Sequence, residues 1–150
     1  METQLSNSEE ATKLIAATLV DELPHNLVLL KGPLGAGKTT FVRGIGGKLG
    51  LKRILSPTYT IIRSYKLAEP FKTPYLAITH FQHVDLFRLT DAQEVDAIGF
   101  WELAENPNNL VVVEWPEVIE DKIILPHTTI TIKNLGASRR ELSSIVARGA

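Results

Sequence analysis

The stretch that decides the fold is Gly32-Pro33-Leu34-Gly35-Ala36-Gly37-Lys38-Thr39-Thr40. It matches the pattern GxxxxGK[ST] in every fixed position, occupied by Gly32, Gly37, Lys38 and Thr39. The apolar run Leu27-Val28-Leu29-Leu30 precedes it and is typical of a buried strand, and apolar residues at 41, 42 and 45 follow with helical spacing. A strand, a glycine loop and a helix in this order form the context that a phosphate-binding loop requires.

The residue types in this loop suit the binding of phosphate. Glycine lets successive backbone N–H groups turn toward one anion, because no Cβ obstructs the approach. The start of the following helix adds unpaired N–H donors and a partial positive charge. Lys38 can reach the outer phosphates of a nucleotide, and the Thr39 hydroxyl can bind Mg²⁺. The flanking strand and helix disfavour the alternative, a glycine-rich turn with a solvated lysine.

Composition and charge limit the classes of function. The chain has 150 residues, of which 44% are hydrophobic and 22% charged, and this predicts a single domain over residues 1–150. The net charge of −1 gives no broad attraction to nucleic acid or to an anionic membrane, so contact with RNA should be local or made through a partner. The chain has no cysteine, which excludes disulfides and thiolate metal sites.

No targeting or membrane segment is predicted. The first residues lack the basic region and apolar core of a signal peptide. No apolar run approaches the roughly 18 residues that would span a bilayer. We therefore expect a soluble protein of the cytoplasm without membrane contact.

Hydrophobic periodicity and turn residues outline the remaining elements. We predict four helices: one over about 8–22, one from the glycine loop to 49, one over about 91–98 and one over about 100–103. We predict strands over about 27–30, 60–65, 80–89, 110–114, 128–133 and 141–147, the last two as an antiparallel pair. The first helix begins at a capping box from Ser6 or at Ser8, and residues 67–79 form a surface hairpin or a loop. The glycines at 44, 46 and 47 permit either close packing or a bend.

The run Leu110-Val111-Val112-Val113-Glu114 is the second strong signal. Four apolar residues followed by an acid have the form of a Walker B strand, here ending in Glu rather than Asp. Such an acid binds Mg²⁺ directly or through water, or polarises the attacking water. The alternative is a buried strand that ends in a solvated Glu114, and the upstream glycine loop favours the functional interpretation. Trp115 follows, as a core residue or as a stacking surface for a partner or substrate.

Thr58 and Asp85 are two further candidates for the site. Thr58 lies in Ser56-Pro57-Thr58-Tyr59, after the helix of the glycine loop, where many P-loop proteins keep a threonine that senses the γ-phosphate and Mg²⁺. The same residues also fit an ordinary turn. Asp85 lies on a predicted strand, at the edge of an open α/β sheet where ligands bind.

Histidines and arginines give weaker signals. His80 and His83 lie three apart, and therefore on opposite faces of a strand, which disfavours a metal pair. Arg139 and Arg140 follow a predicted turn and either contact the nucleotide or are simply exposed.

Together, and in this order, these motifs resemble those of the TsaE (YjeE) family, small bacterial ATPases needed to make threonylcarbamoyladenosine in tRNA. The glycine loop by itself indicates only a P-loop protein, whereas the other three blocks are much more specific. The resemblance covers most of the chain. Its four blocks are Gly35-Ala36-Gly37-Lys38-Thr39-Thr40-Phe41-Val42-Arg43-Gly44, Ser56-Pro57-Thr58-Tyr59, His83-Val84-Asp85-Leu86-Phe87-Arg88-Leu89 and Val112-Val113-Glu114-Trp115-Pro116-Glu117.

The resemblance implies a fold, ligands and partners. The fold would be the three-layer α/β P-loop NTPase fold, with a mixed, mostly parallel sheet flanked by helices. The ligands would be ATP or ADP with Mg²⁺. The protein would hydrolyse ATP slowly by itself and act with TsaD and TsaB, which transfer the threonylcarbamoyl group, and it would meet tRNA only through that complex. Hydrolysis would reset the complex between turnovers.

The resemblance also implies roles for single residues. Lys38 would hold the phosphates, Thr58 would be the switch threonine, and Asp85 would assist the metal or the water. Thr39 and Glu114 would bind the metal, and Trp115 would contact a partner or substrate. Which carboxylate acts on the water stays open between Asp85 and Glu114. The nucleotide would be bound by Leu34, Gly35, Ala36, Gly37, Lys38, Thr39 and Thr40, of which Thr40 would contact the α-phosphate region.

Three features depart from the family pattern. Pro33 stands where the family often has Asp, and Phe87 replaces the commoner Tyr and so removes one hydroxyl. The segment Lys66–Thr79 is longer than usual, which leaves open how this face meets a partner.

Three other classes of function use the same loop. A small-molecule kinase usually has an arginine-rich lid, and only the scattered Arg53, Arg63 and Arg88 are present. A non-enzymatic nucleotide switch would need ATP binding alone, and an intact set of Lys38, Thr39 and Glu114 argues against a dead site. A GTPase would carry an NKxD-type motif, which the sequence lacks.

Overall fold

A computed structural model describes residues 2–149. Helices cover both faces of one seven-stranded sheet. The strands are β1 (Glu2–Ser6), β2 (Leu27–Lys31), β3 (Ile62–Lys72), β4 (Ala77–Asp85), β5 (Asn109–Glu114), β6 (His127–Gly136) and β7 (Arg139–Ala147). The helices are α1 (Glu9–Glu22), α2 (Lys38–Lys48), α3 (Ala92–Ala97) and α4 (Phe100–Glu105), and short 3₁₀ turns occupy Pro116–Val118 and Glu120–Lys122.

The sheet has a parallel centre and antiparallel margins. Its strand order is β1-β7-β6-β2-β5-β4-β3. Strand β2 pairs in parallel with both β5 and β6, and β4 pairs in parallel with β5. The remaining pairings, β1 with β7, β6 with β7 and β3 with β4, are antiparallel. The parallel strands end at one edge of the sheet, so the loop after β2 lies there beside the ends of β4 and β5.

The core consists of two apolar layers, one on each face of the sheet. Because successive side chains of a strand point to opposite faces, Val28 and Leu30 of β2 pack against α1 and α2. Leu27 and Leu29 pack against α3 and α4 on the other face. This arrangement confirms the expected three layers.

Close packing explains Gly44 of α2 and bears on Gly46. A Cβ added to Gly44 would lie 2.6 Å from the carbonyl oxygen of Lys13 in α1, so only glycine lets the two helices approach this closely. A Cβ at Gly46 would meet the side chain of Ile54, whereas one at Gly47 would meet nothing within 4 Å.

The start of α1 decides between the two predicted caps. Ser8 is the N-cap, and its hydroxyl accepts a hydrogen bond from the Ala11 N–H at 3.1 Å. Ser6 lies outside the helix, at the end of β1, where its hydroxyl donates to the Ser8 carbonyl. Strand β1 was not predicted, because four of its five residues are exposed and present no buried face to the sequence pattern.

One strand prediction needs correction, and one open alternative is decided. The strand predicted over 80–89 ends at Asp85, because the Asp85 carboxylate accepts a hydrogen bond from the Phe87 N–H at 2.9 Å and turns the chain. Residues 67–79 form a hairpin, which was one of the two predicted alternatives. Strands β3 and β4 run through them, and the Thr73 hydroxyl closes the turn by accepting hydrogen bonds from the Tyr75 and Leu76 N–H groups. No helix among residues 2–149 is long and apolar enough to cross a membrane.

Candidate active site

A cleft of about 400 Å³ opens at the edge of the sheet where the parallel strands end. Its wall includes every residue predicted for the site except Ala36, a residue of the loop that is buried in the core. The structure therefore brings three separate parts of the sequence together: the glycine loop with the start of α2, the Thr58 loop, and the ends of β4 and β5. The predicted members of the wall are Leu34, Gly35, Gly37, Lys38, Thr39, Thr40, Thr58, Asp85 and Glu114.

The glycine loop lines this cleft and leads into the start of α2. Gly35 and Gly37 have φ angles of +76° and +105°, in the region that L side chains rarely adopt. Gly37 is the N-cap of α2, and no side chain caps this helix end. The first N–H groups of α2 therefore remain available to an anion, beside the positive end of the helix dipole.

Lys38 carries a buried ammonium that no acceptor in the described part of the chain satisfies. The residue is 6% exposed, and its Nζ has no hydrogen-bond partner among the described residues. Its nearest stabilising contact is the Trp115 ring, whose centroid lies 3.5 Å from Nζ. Burial lowers the pKa of Lys38 below its ordinary value, and the negative charges of Glu114, Glu117 and Asp85 partly oppose this shift. A phosphate would supply the missing acceptor.

Glu114 ends β5 and has one carboxylate oxygen to spare. Its Oε2 lies 2.6 Å from Nε2 of His83, and both side chains are buried. No group among residues 2–149 donates a hydrogen bond to the other carboxylate oxygen of Glu114, Oε1. Glu114 can therefore accept a metal ion without losing its contact to His83.

Asp85 is held at both carboxylate oxygens. Its Oδ1 accepts from the Phe87 N–H, and its Oδ2 accepts from the Thr58 hydroxyl at 3.2 Å. The Thr58 hydroxyl also lies 2.7 Å from that of Ser56. Because the described residues occupy both oxygens of Asp85 but only one of Glu114, Glu114 is the better candidate for a direct metal ligand.

The protein side chains by themselves do not make a metal site. Among the described residues, no group of three or more His, Cys, Asp or Glu side chains could hold a metal ion. Thr39 and Glu114 both line the cleft, and two such ligands suit Mg²⁺, which usually takes its other ligands from water and substrate phosphates. The donor set thus fits a magnesium ion that arrives with a nucleotide.

The structure adds residues that sequence reasoning did not assign to the site. His83 contacts Glu114, and its spacing of two from Asp85 places both on one face of β4, a signal that was available in the sequence. Arg140 lines the cleft, and a Cβ at Gly37 would lie 3.3 Å from its Nε. For Arg140 this favours the nucleotide-contact alternative over simple exposure. Glu9, Ser56, Phe87 and Trp115 complete the wall.

A sequence model of the family described as "Threonylcarbamoyl adenosine biosynthesis protein TsaE" matches residues 6–142. The chain belongs to the TsaE family. A relative from Rickettsia felis, named tRNA threonylcarbamoyladenosine biosynthesis protein TsaE, is 35% identical over 147 residues, which cover 96% of this chain and 79% of the relative. A relative of the same name from Bacillus subtilis is 33% identical over 138 residues, which cover 91% of this chain and 80% of the relative.

A solved structure agrees with this TsaE assignment. The crystal structure of YdiB from Bacillus subtilis superimposes with a TM-score of 0.73 at 29% identity and covers 99% of this chain and 86% of its own. The likeness supports the P-loop NTPase fold that the motifs predicted. Membership in the TsaE family connects the chain with threonylcarbamoyladenosine biosynthesis in tRNA.

Proposed function

We propose that the protein is a Mg²⁺-dependent ATPase, weak by itself, which acts with TsaB and TsaD in the threonylcarbamoyladenosine modification of tRNA in the cytoplasm. The observation that best supports ATP binding is the buried ammonium of Lys38, which has no hydrogen-bond partner among the described residues. It lies in the cleft beside the uncapped start of α2. The pathway and its partners rest on membership in the TsaE family. Contact with tRNA would be made through the complex, since the net charge of −1 offers no broad attraction to RNA.

Nucleotide binding would use the loop and the first turn of α2. The loop from Leu34 to Thr40 would surround the phosphates with its N–H groups other than that of Ala36, which donates to the Pro33 carbonyl at 3.1 Å. Lys38 would exchange its contact with Trp115 for a charge-assisted hydrogen bond. Such a bond is stronger than a neutral one because the donor and the acceptor are both charged. Positioning and charge stabilisation of this kind account for most of the catalysis of phosphoryl transfer.

The metal would be held by the Thr39 hydroxyl and the free oxygen of Glu114. Mg²⁺ held there with the nucleotide would neutralise the charge that develops on the β- and γ-phosphate oxygens. The protein's contribution is to fix Glu114 at the end of β5, where Glu114 pairs in register with Leu30 before the loop and with Asp85 on β4.

Thr58 and Asp85 would direct the attacking water. The Thr58 hydroxyl donates to Asp85 at 3.2 Å, so the loop that carries Thr58 is joined to the end of β4. A switch threonine would break this bond when its hydroxyl turns toward the γ-phosphate and metal. Breaking it would free one oxygen of Asp85 to accept a hydrogen bond from water.

The test is ATP turnover by the purified protein, alone and with a TsaB–TsaD pair, in Mg²⁺ and then in EDTA. We expect slow Mg²⁺-dependent turnover that changes when the pair is added. Glu114→Gln should nearly abolish turnover while the protein remains folded, whereas Glu105→Gln, an exposed acid on α4, should behave as wild type. Turnover that ignores the pair, or that a small acceptor molecule stimulates, would contradict the proposal and favour a kinase or an unrelated ATPase.

A further inference from the structure

His83 and Glu114 form a buried pair at the back of the cleft. Nε2 of His83 lies 2.6 Å from Oε2 of Glu114, and the two residues are 2% and 7% exposed. We propose that His83 is a positioning residue that orients the Glu114 carboxylate and presents its other oxygen to the metal ion. This inference rests on the proposed function, because it assumes that Glu114 binds Mg²⁺.

The imidazole is itself held firmly in place. His83 is on β4, in the register that pairs Asp85 with Glu114 across the parallel β4–β5 ladder. Its ring stacks on Phe81, with the centroids 6.1 Å apart and the planes at 12°. A donor fixed in this way removes the rotational freedom of the Glu114 side chain, so that binding a metal ion does not have to order it.

Within residues 2–149, the only hydrogen-bond partner of the His83 side chain is Glu114. A carboxylate only accepts hydrogen bonds, so Nε2 carries the proton that it donates to Glu114. The other ring nitrogen, Nδ1, is buried without a partner among the described residues. A position that served only packing would be filled better by an apolar side chain, because a buried polar atom without a partner costs stability.

His83 acts through Glu114 and does not contact the ligand. It is almost fully buried, and it is absent from the residues that line the cleft. Histidine and carboxylate partners of metal ligands commonly act in this way, and their loss lowers metal affinity about 10- to 100-fold. We expect a loss of that size when His83 is removed.

The experiment measures the Mg²⁺ dependence of binding of a fluorescent ADP analogue, which needs no catalytic turnover. Mg²⁺ should increase the affinity for the analogue. In His83→Leu, the Mg²⁺ concentration that gives half of this increase should be about 10-fold higher or more. Its affinity for the analogue in EDTA should not change. His83→Gln should restore much of the wild-type response, because the glutamine amide can donate from nearly the same place as Nε2. If His83→Leu does not fold, His83→Asn, whose amide is too short to reach Glu114, takes its place.

Two controls separate positioning from stability. Val84→Ala removes two buried methyl groups from the next position of β4, on the opposite face, and should lower stability without changing the Mg²⁺ response. In a Glu114→Gln background, removing His83 should cause no further change in the Mg²⁺ response, because its target is already lost.

The outcomes distinguish this inference from the function on which it rests. A wild-type protein whose binding of the ADP analogue ignores Mg²⁺ would overturn both. A wild-type protein that responds to Mg²⁺, together with an equal response in His83→Leu, would overturn the role of His83 and leave the proposed ATPase intact. The role of His83 would also be overturned if Val84→Ala shifted the Mg²⁺ response as much as His83→Leu.

Discussion

The ammonium of Lys38 lies 3.5 Å from the centroid of the Trp115 ring. Trp115 adopts a left-handed backbone conformation, with φ at 55°, directly after the strand that ends in Glu114. Its ring also packs on Phe87, at 5.0 Å between centroids. The sequence left open whether Trp115 is a core residue or a contact surface. In the structure, its ring covers the ammonium of Lys38.

This contact predicts a fluorescence signal for nucleotide binding. Phosphate should draw Lys38 away from Trp115 and change the emission of that ring. The chain has two tryptophans, and Trp101 packs against Phe100 on α4, in the layer on the other face of the sheet. Addition of ADP should change the fluorescence of wild type and of Trp101→Phe, and Trp115→Phe should give no change. A signal that survives in Trp115→Phe would contradict the assignment.

Burial of Lys38 predicts a stability that depends on pH. Burial lowers the pKa of Lys38 in the folded protein below 10.5, its ordinary value. Below the folded pKa the lysine is charged in both states, and its desolvation destabilises the fold. As the pH rises through the folded pKa toward 10.5, the folded state releases its proton first and the penalty disappears.

At pH 7, urea unfolding should therefore give Lys38→Met a free energy of unfolding about 1 kcal/mol or more above that of wild type. The variant should also lose ATP turnover. The advantage should shrink as the pH is raised through the alkaline range. Lys52→Met, at an exposed position, should show no such pH-dependent gain. An advantage for Lys38→Met that grows with pH would contradict a lowered pKa for this lysine.

The bond between Thr58 and Asp85 predicts a selective loss of turnover. Thr58→Ala removes the hydroxyl that the proposed switch turns from Asp85 toward the γ-phosphate, and should lower ATP turnover about 10-fold or more, with ADP affinity unchanged. Thr60→Ala is a matched control two residues along the same loop, where the hydroxyl is 3.5 Å from the Pro57 carbonyl and outside the cleft wall. Equal turnover in the two variants would mean that Thr58 only shapes a turn.

Two glycines of α2 should respond in opposite ways to alanine. Gly44→Ala would force its Cβ to within 2.6 Å of the Lys13 carbonyl and should destabilise the protein by about 1–3 kcal/mol. Gly47→Ala meets open space in the same helix and should stabilise it by up to about 1 kcal/mol, because alanine loses less backbone entropy. Urea unfolding of the two variants checks this pair. A destabilised Gly47→Ala would show that the helix must bend there.

Local patterns predicted much of this structure correctly. Gly32 to Thr39, the apolar strand before them and the run ending at Glu114 specify the parallel centre of the sheet, because each signal is contained in a few consecutive residues. The capping and periodicity of α1 predicted a helix within one residue of its observed bounds, Glu9–Glu22.

Features that depend on tertiary contacts were harder to predict. The contact of His83 with Glu114 joins residues on two strands, and only the parallel pairing of β4 with β5 reveals it. Arg140 reaches Gly37 because β7 pairs with β6, which lies next to β2. The end of β4 at Asp85 depends on a side chain that bonds the backbone two residues ahead, which hydrophobic periodicity does not register.

The two outer strands of the sheet also bear on how separate molecules meet. Strand β3 carries exposed charges at Lys66 and Lys72, a proline at position 70 without an N–H to donate, and a shift of register against β4 between Lys66 and Phe71. At the opposite margin β1 is only five residues long and begins with an exposed Glu2. Short, charged or interrupted edges are poor templates for another strand, so neither margin invites edge-to-edge aggregation.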